Sequence, residues 1–244
     1  MDEIKTISRI EFNVINSEHP FQRALLVKDY YLTLILYLLR NIEGIYFKGG
    51  TDINKMFLSH ARLSEDLYFV LTKNQKEVKI EISKILKETK FVKEIKEGKD
   101  VEGFVRLIVK CNSEIGESEI FIDLNEREKL LLPTERHNLE HFYLPFIPDF
   151  SIKTEAKEEM IADKTAATIG RNKPRDHYDV YNLLKSGIYL NMEIVKKKCH
   201  EAGDEFDIVK MFNKAQILKK RWDKDMIYLV AKPITFQEVI QFLA

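Results

Sequence analysis

The chain has 244 residues, 45% of them hydrophobic and 32% charged, and its 39 basic and 39 acidic residues give a formal net charge of zero. This length can bury a real core in one large or two small domains, and the composition excludes a disordered chain. The neutral balance excludes recognition of nucleic acid by global charge, so any basic surface must be local.

The opening MDEIKTISRIEF lacks the basic-then-apolar order of a secretory leader. Residues 21–42 read as a helix apolar on most faces, ended by Gly44. Its richest run, Leu32 to Leu39, is too short to cross a bilayer and is flanked by Lys28 and Arg40, so it is expected to be buried and not to contact membrane. Ile45-Tyr46-Phe47 form a short strand that runs into Gly49-Gly50-Thr51. Thr51 is the expected N-cap of a short helix carrying Ile53, Met56 and Phe57. A loop over 59–65 leads to a second strand over 67–71. The spacing of Val78, Ile82, Ile85 and Leu86 predicts a helix over about 74–89.

Residues 104–109 and 118–124 read as a hairpin closed by CNSEIGES. On its second strand Ile120, Ile122 and Leu124 share one face, and Phe121, Asp123 and Asn125 the other. A polar, proline-bearing stretch then marks the expected boundary between an α/β half, residues 1–150, and a helical half, residues 151–244. Helices are expected over 155–169, 175–185, 192–202, 205–220 and 236–243. The whole is an α+β chain: a mixed sheet with flanking helices, then a helical C-terminal half. Cys111 and Cys199 have no ligand-like spacing, which fits a reducing cytoplasm and neither a disulfide framework nor a zinc site.

Three pieces carry possible chemistry. The Gly49-Gly50-Thr51 turn lets a phosphate approach backbone N–H groups, although such a turn is often only a turn. Asp66 and Asp123 are carboxylates on strands with apolar neighbours, where charge is poorly solvated. If they meet above the glycine turn they make a magnesium site for a nucleoside triphosphate; otherwise each pairs with a lysine or arginine. The third piece is helical: Lys164 sits among alanines, then Arg171, Lys173 and Arg175 form a basic cluster before Asp176 and Asp179. The cluster suits a triphosphate tail or nucleic acid; the plainer reading is surface ion pairs and a snorkelling lysine.

Taken in order, Lys48-Gly49-Gly50-Thr51, Arg62-Leu63-Ser64-Glu65-Asp66, Asp123, Lys164 and the string RNKPRDHYD from Arg171 to Asp179 resemble the AbiEii nucleotidyltransferases over roughly residues 20–190. These are toxins of toxin–antitoxin and phage-defence systems, related to the MenT toxins. The resemblance implies a nucleotidyltransferase fold and transfer of a nucleoside monophosphate from an NTP to an acceptor, the 3′ end of tRNA for MenT-like members. It implies Mg²⁺ or Mn²⁺ as cofactor and an antitoxin protein as partner. Carried over, Asp66 and Asp123 bind metal and act in catalysis with Lys164 and Asp176. Lys48, Gly49, Gly50, Thr51, Ser64, Arg171, Arg175 and Asp179 surround the nucleotide. Asp176 is expected to face the site and Arg175 to be structural.

Two positions depart from the family pattern. The second carboxylate of D-x-D is Tyr68, on the same strand face as Asp66, while Glu65 points the other way. The residue after Thr51 is Asp52, an acid where a phosphate is expected nearby. Beside transfer, these departures leave open a phosphotransferase on the same fold and a non-catalytic member that binds nucleotide, RNA or a partner protein.

Overall fold

A computed structural model of the chain describes residues 4–171 and 173–244; Asn172 of the RNKPRDHYD string lies outside them. The chain opens with α1 (Arg9–Glu18) and α2 (Arg23–Leu39), then β1 (Ile45–Lys48), α3 (Gly50–Met56), β2 (Asp66–Leu71) and α4 (Gln75–Lys87). A meander of β3 (Val92–Val101), β4 (Phe104–Ser113) and β5 (Gly116–Asn125) follows, then β6 (Glu135–Asn138) and β7 (Ser151–Thr154). The remainder is helical: α5 (Lys157–Gly170), α6 (Pro174–Lys185), α7 (Met192–Glu201), a 3₁₀ turn (Ile208–Phe212), α8 (Ala215–Met226) and α9 (Phe236–Leu243).

The strands among the described residues form one mixed sheet in the order β3-β4-β5-β2-β1-β7-β6. β1 runs antiparallel to β2 and parallel to β7, and β2 runs parallel to β5. The sheet thus extends through β7, past residue 150, before the helices begin. α2 is apolar on most faces because it lies between β5 and α4, burying Leu26, Leu32, Ile35, Leu36 and Leu39. Ile120, Ile122 and Leu124 face this core, as their alternation predicts, and the opposite face of the sheet is left to carry Asp66, Tyr68 and Asp123.

Several elements differ from expectation, each for a local reason. α1 is held by a capping box in which Ser8 and Glu11 bond each other's backbone N–H, so an S-x-x-E signature was present ahead of a weak apolar pattern. β3 is an edge strand and mostly exposed, so lysines and acids replace the apolar alternation that marks a strand. The helix expected over 205–220 is instead a 3₁₀ turn capped by Asp207 followed by α8. Leu218, Trp222 and Met226, four residues apart, are the buried stripe of α8 and move the helix C-terminal. Thr51 is not an N-cap; that position is Gly49, at φ 93°, a backbone region glycine enters without strain.

Candidate active site

The parallel register of β2 and β5 sets Asp66 opposite Phe121 and Tyr68 opposite Asp123, so both carboxylates rise from the same sheet face on neighbouring strands. Gly49 and Gly50 lie at their edge, at the end of β1. A Cβ on Gly50 would sit 2.6 Å from the Arg62 guanidinium, so the turn has no room for a side chain there. α5, Arg171, Lys173 and the start of α6 close the opposite wall. The cleft between measures about 480 Å³ and is lined by Lys48, Gly49, Gly50, Ser64, Asp66 and Asp123 on the sheet side, and by Lys164, Arg171, Lys173 and Arg175 on the helical side.

The two carboxylates are in different states. The Arg106 guanidinium donates to both oxygens of Asp123, at 2.6 and 2.7 Å. This is the paired alternative weighed for Asp123 from sequence. Asp66 accepts no side-chain hydrogen bond among the described residues, and burial raises its pKa against the pull of Lys28 and Arg175. Tyr68 stands opposite Asp123 in the register, with its hydroxyl accepting from the Asn125 amide at 2.5 Å. Burial raises the phenol's pKa further, so it brings no negative charge.

Behind the cleft lies a second, dry layer of charge. Asp179 is fully buried and takes Arg62 Nε at 2.7 Å and Nη2 at 2.6 Å, with Lys164 Nζ at 3.1 Å. Asp176, also fully buried, takes Arg171 at 2.7 Å on each oxygen and Lys164 at 3.1 Å. Burial works against both carboxylate charges, but their cationic partners outweigh it and hold both pKa values below the usual range. Neither aspartate lines the cleft. The expectation that Asp176 faces the site and Arg175 is structural is therefore reversed. Asp176 and Asp179 orient Lys164, Arg171 and Arg62, whereas Arg175 lines the cleft and forms no ion pair among the described residues. On α6, spacing three apart put both acids on one face, and that face turns to Arg62 and Lys164 and not to open space.

Lys48 is likewise spoken for. It is buried against Glu128 at 3.1 Å, Glu155 at 3.3 Å and Asp163. Burial disfavours its charge, yet Glu155, Asp163 and Glu128 hold its pKa well above the usual value. Lys198 on α7 pairs with Glu159 at 2.5 Å and Asp163 at 3.4 Å and also lines the cleft. Thr51 turns away and donates its hydroxyl to the Asp66 carbonyl at 2.6 Å, tying α3 to the start of β2. Arg106, Glu128, Asp163 and Lys198 were not expected from sequence. Arg106 had a signal: Ser113 pairs with Gly116 at the hairpin end, and counting back along that register brings Arg106 opposite Asp123.

Asp52 does not face a phosphate. It is fully buried, outside the cleft, with no hydrogen-bond partner for either oxygen among the described residues, and burial pushes its pKa well above the carboxylate range. A folded-state pKa raised above the unfolded one is a folding penalty that is absent below pH about 4 and grows by about 1.4 kcal/mol per pH unit above it until the folded-state pKa is reached. Asp52→Asn is therefore expected to be more stable than wild type at pH 7, and the gain should shrink towards pH 4. Urea midpoints of both proteins across that range check this; a difference independent of pH would mean that Asp52 is ionised in the fold.

Among the described residues no group of three or more His, Cys, Asp or Glu side chains is placed to share a metal. Asp66 and Asp123 would be the carboxylates to hold one Mg²⁺ or Mn²⁺ of the kind that keeps its waters and binds mostly through substrate phosphates, and Asp123 would be available to it only without its Arg106 pair. They do not fit a pair of ions.

A mixed sheet with two carboxylates on adjacent strands beside a glycine turn, covered by helices, defines a nucleotidyltransferase fold, and solved structures agree. The nucleotidyltransferase toxin MenT4 of Mycobacterium tuberculosis H37Rv superposes with a TM-score of 0.72 at 18% identity, over 98% of this chain and 87% of that one. JHP933 of Helicobacter pylori superposes at 0.63 and 17% identity, over 91% and 90%. No curated protein sequence is significantly similar. The family model described as "Nucleotidyl transferase AbiEii toxin, Type IV TA system" matches residues 40–241, and the chain belongs to that family.

Proposed function

We propose that the protein transfers a nucleoside monophosphate from an NTP to the 3′ end of an acceptor RNA, tRNA among the candidates, as the toxin of a toxin–antitoxin pair in the cytoplasm. One observation carries this: Asp66, Asp123 and the Gly49-Gly50 turn meet in one cleft with Arg175 and Lys173, two cations that have no acid partner among the described residues. Family membership supports the toxin role and the antitoxin partner, and no helix among the described residues is long and apolar enough to cross a membrane.

A divalent ion held by Asp66 and Asp123 would neutralise charge on the triphosphate. The chain's own residues supply the rest. Arg175 and Lys173 attract the phosphate tail as unpaired charges, and Lys164 adds part of a charge it shares with Asp176 and Asp179. Ser64 and the glycine turn offer hydrogen bonds where no side chain intervenes. Were Asp123 to hold the ion, Arg106, which now bonds both of its oxygens, would be released to meet phosphate. The test is incubation with each labelled NTP, total tRNA and Mg²⁺ or Mn²⁺, resolved on a gel that separates RNA from protein. Label in RNA is the expected result; label in protein would point to a phosphotransferase or protein-directed enzyme.

The Arg106 clamp on Asp123 and the phenol of Tyr68 favour a second reading, a member that binds nucleotide without transferring it. Tyr68→Asp restores the family carboxylate and is expected to tighten Mg²⁺-dependent NTP binding, measured by calorimetry at a temperature where both proteins are folded. Loss of the half-buried ring should cost on the order of a few kcal/mol of stability. A folded variant that binds no NTP, beside a wild type that does, would show that Tyr68 belongs to a rebuilt nucleotide site.

A further inference from the structure

A second hollow of about 440 Å³ adjoins the cleft on the same sheet face, lined by Tyr68, Lys99, Phe104, Arg106, Asn125 and Arg127. Tyr68 and Arg106 line both spaces, so the hollow adjoins the candidate transfer centre. Among the described residues no acid lines the hollow. Asp123 is taken by Arg106, Glu97 and Asp100 pair with Lys79 at 3.0 and 3.2 Å, and Glu126 accepts the Gln75 N–H at 2.9 Å. Lys99 and Arg127 are both exposed and neither forms an ion pair among the described residues. Lys99 stands 5.7 Å from the centre of the half-buried Phe104 ring, and Arg127 is fixed by the backbone carbonyl of Glu102.

We propose that this hollow holds a nucleotide of the single-stranded acceptor next to the reacting 3′ end, a proposal that rests on the transferase reading of the cleft. An aromatic face flanked by two uncompensated cations, on an acid-free surface of a chain whose net charge is zero, suits a base that stacks and phosphodiesters that neutralise. A protein partner would meet little apolar surface here, and a duplex would keep its bases inside, out of reach of Phe104. The hollow suits polynucleotide rather than free nucleotide because two separate cations line it, Lys99 on β3 and Arg127 after β5, so that each can take a phosphate of one strand.

The experiment is fluorescence anisotropy with a labelled single-stranded RNA of about 10 nucleotides, the same RNA as duplex, and a fluorescent NTP analogue. Lys99→Glu with Arg127→Glu is expected to weaken single-strand binding at least about tenfold and to flatten its salt dependence by roughly one to two phosphates. Phe104→Ala should weaken it about fivefold or more. NTP-analogue binding should stay as in wild type. Lys99→Glu alone, which leaves the Arg127 contact to the backbone intact, guards against a folding artefact. Unchanged single-strand affinity in these variants overturns the proposal, as does duplex binding as tight as single-strand binding, or a charge reversal that affects only binding of an acidic protein. A wild type that binds RNA through this pocket yet never binds NTP would sink the transferase reading and leave the RNA site standing.

Discussion

Asp66→Asn is expected to lower nucleotidyl transfer by on the order of 10²–10³-fold while leaving the fold intact. The size follows from losing several kcal/mol of charge stabilisation at about 1.4 kcal/mol per tenfold. Of the two strand carboxylates in the cleft, Asp66 is the one that carries no ion pair or side-chain hydrogen bond among the described residues, so it is free to meet a metal-bound triphosphate without displacing anything. Asparagine keeps its shape, and the tie from Thr51 runs to the backbone carbonyl and survives the change. The raised pKa of Asp66 adds a pH signature. As pH falls, this acid protonates before an ordinary carboxylate does, so metal-dependent NTP binding should weaken from a higher pH in wild type than solvent-exposed carboxylates would give, and Asp66→Asn should lose that dependence. Mn²⁺-dependent NTP binding by calorimetry, with transfer measured in parallel, checks both; a variant as active as wild type would remove Asp66 from the chemistry.

Asp179→Ala is expected to destabilise the protein by about 3–5 kcal/mol, the range for breaking a buried ion pair from one side. Arg62 would remain fully buried with no carboxylate to meet its Nε and Nη2, and Lys164 would lose one of its two acids. Asp179→Asn keeps a hydrogen-bond acceptor and should cost less. Because the folded-state pKa values of Asp176 and Asp179 lie below the unfolded ones, the stability they contribute is complete above pH about 4 and is lost as pH falls below it. Wild type should therefore lose stability steeply under acid, and Asp179→Ala less steeply. Urea unfolding of both proteins between pH 7 and the acid limit measures the two effects; a variant of wild-type stability would show that Arg62 finds solvent or another partner.

Much of this was readable in the residues. The alternation of Ile120, Ile122 and Leu124 gave Asp123 its face, the Gly49-Gly50 turn marked the end of β1, and the order of short motifs led to the family that the family model then matched. Local rules were enough because those features depend on neighbours a few positions away. α1 and β3 escaped because a capping box and a charged edge strand carry weak apolar periodicity. Asp176 was placed in the wrong layer because spacing shows that two acids share a helix face without showing what that face meets.

The sequence by itself determined most of the elements, the mixed α+β architecture and several of the charged residues that gather near one cleft. Only the tertiary structure decided which of those charges are already spent: Asp123 on Arg106, Asp179 on Arg62, Asp176 on Arg171 and Lys164, Lys48 on three acids, with Asp66, Lys173 and Arg175 left over. The reason is range. An ion pair forms within about 4 Å, and its partners here stand 17 positions apart in one case and 117 in another, so pairing is settled by how strands and helices meet in space and leaves almost no trace in local sequence.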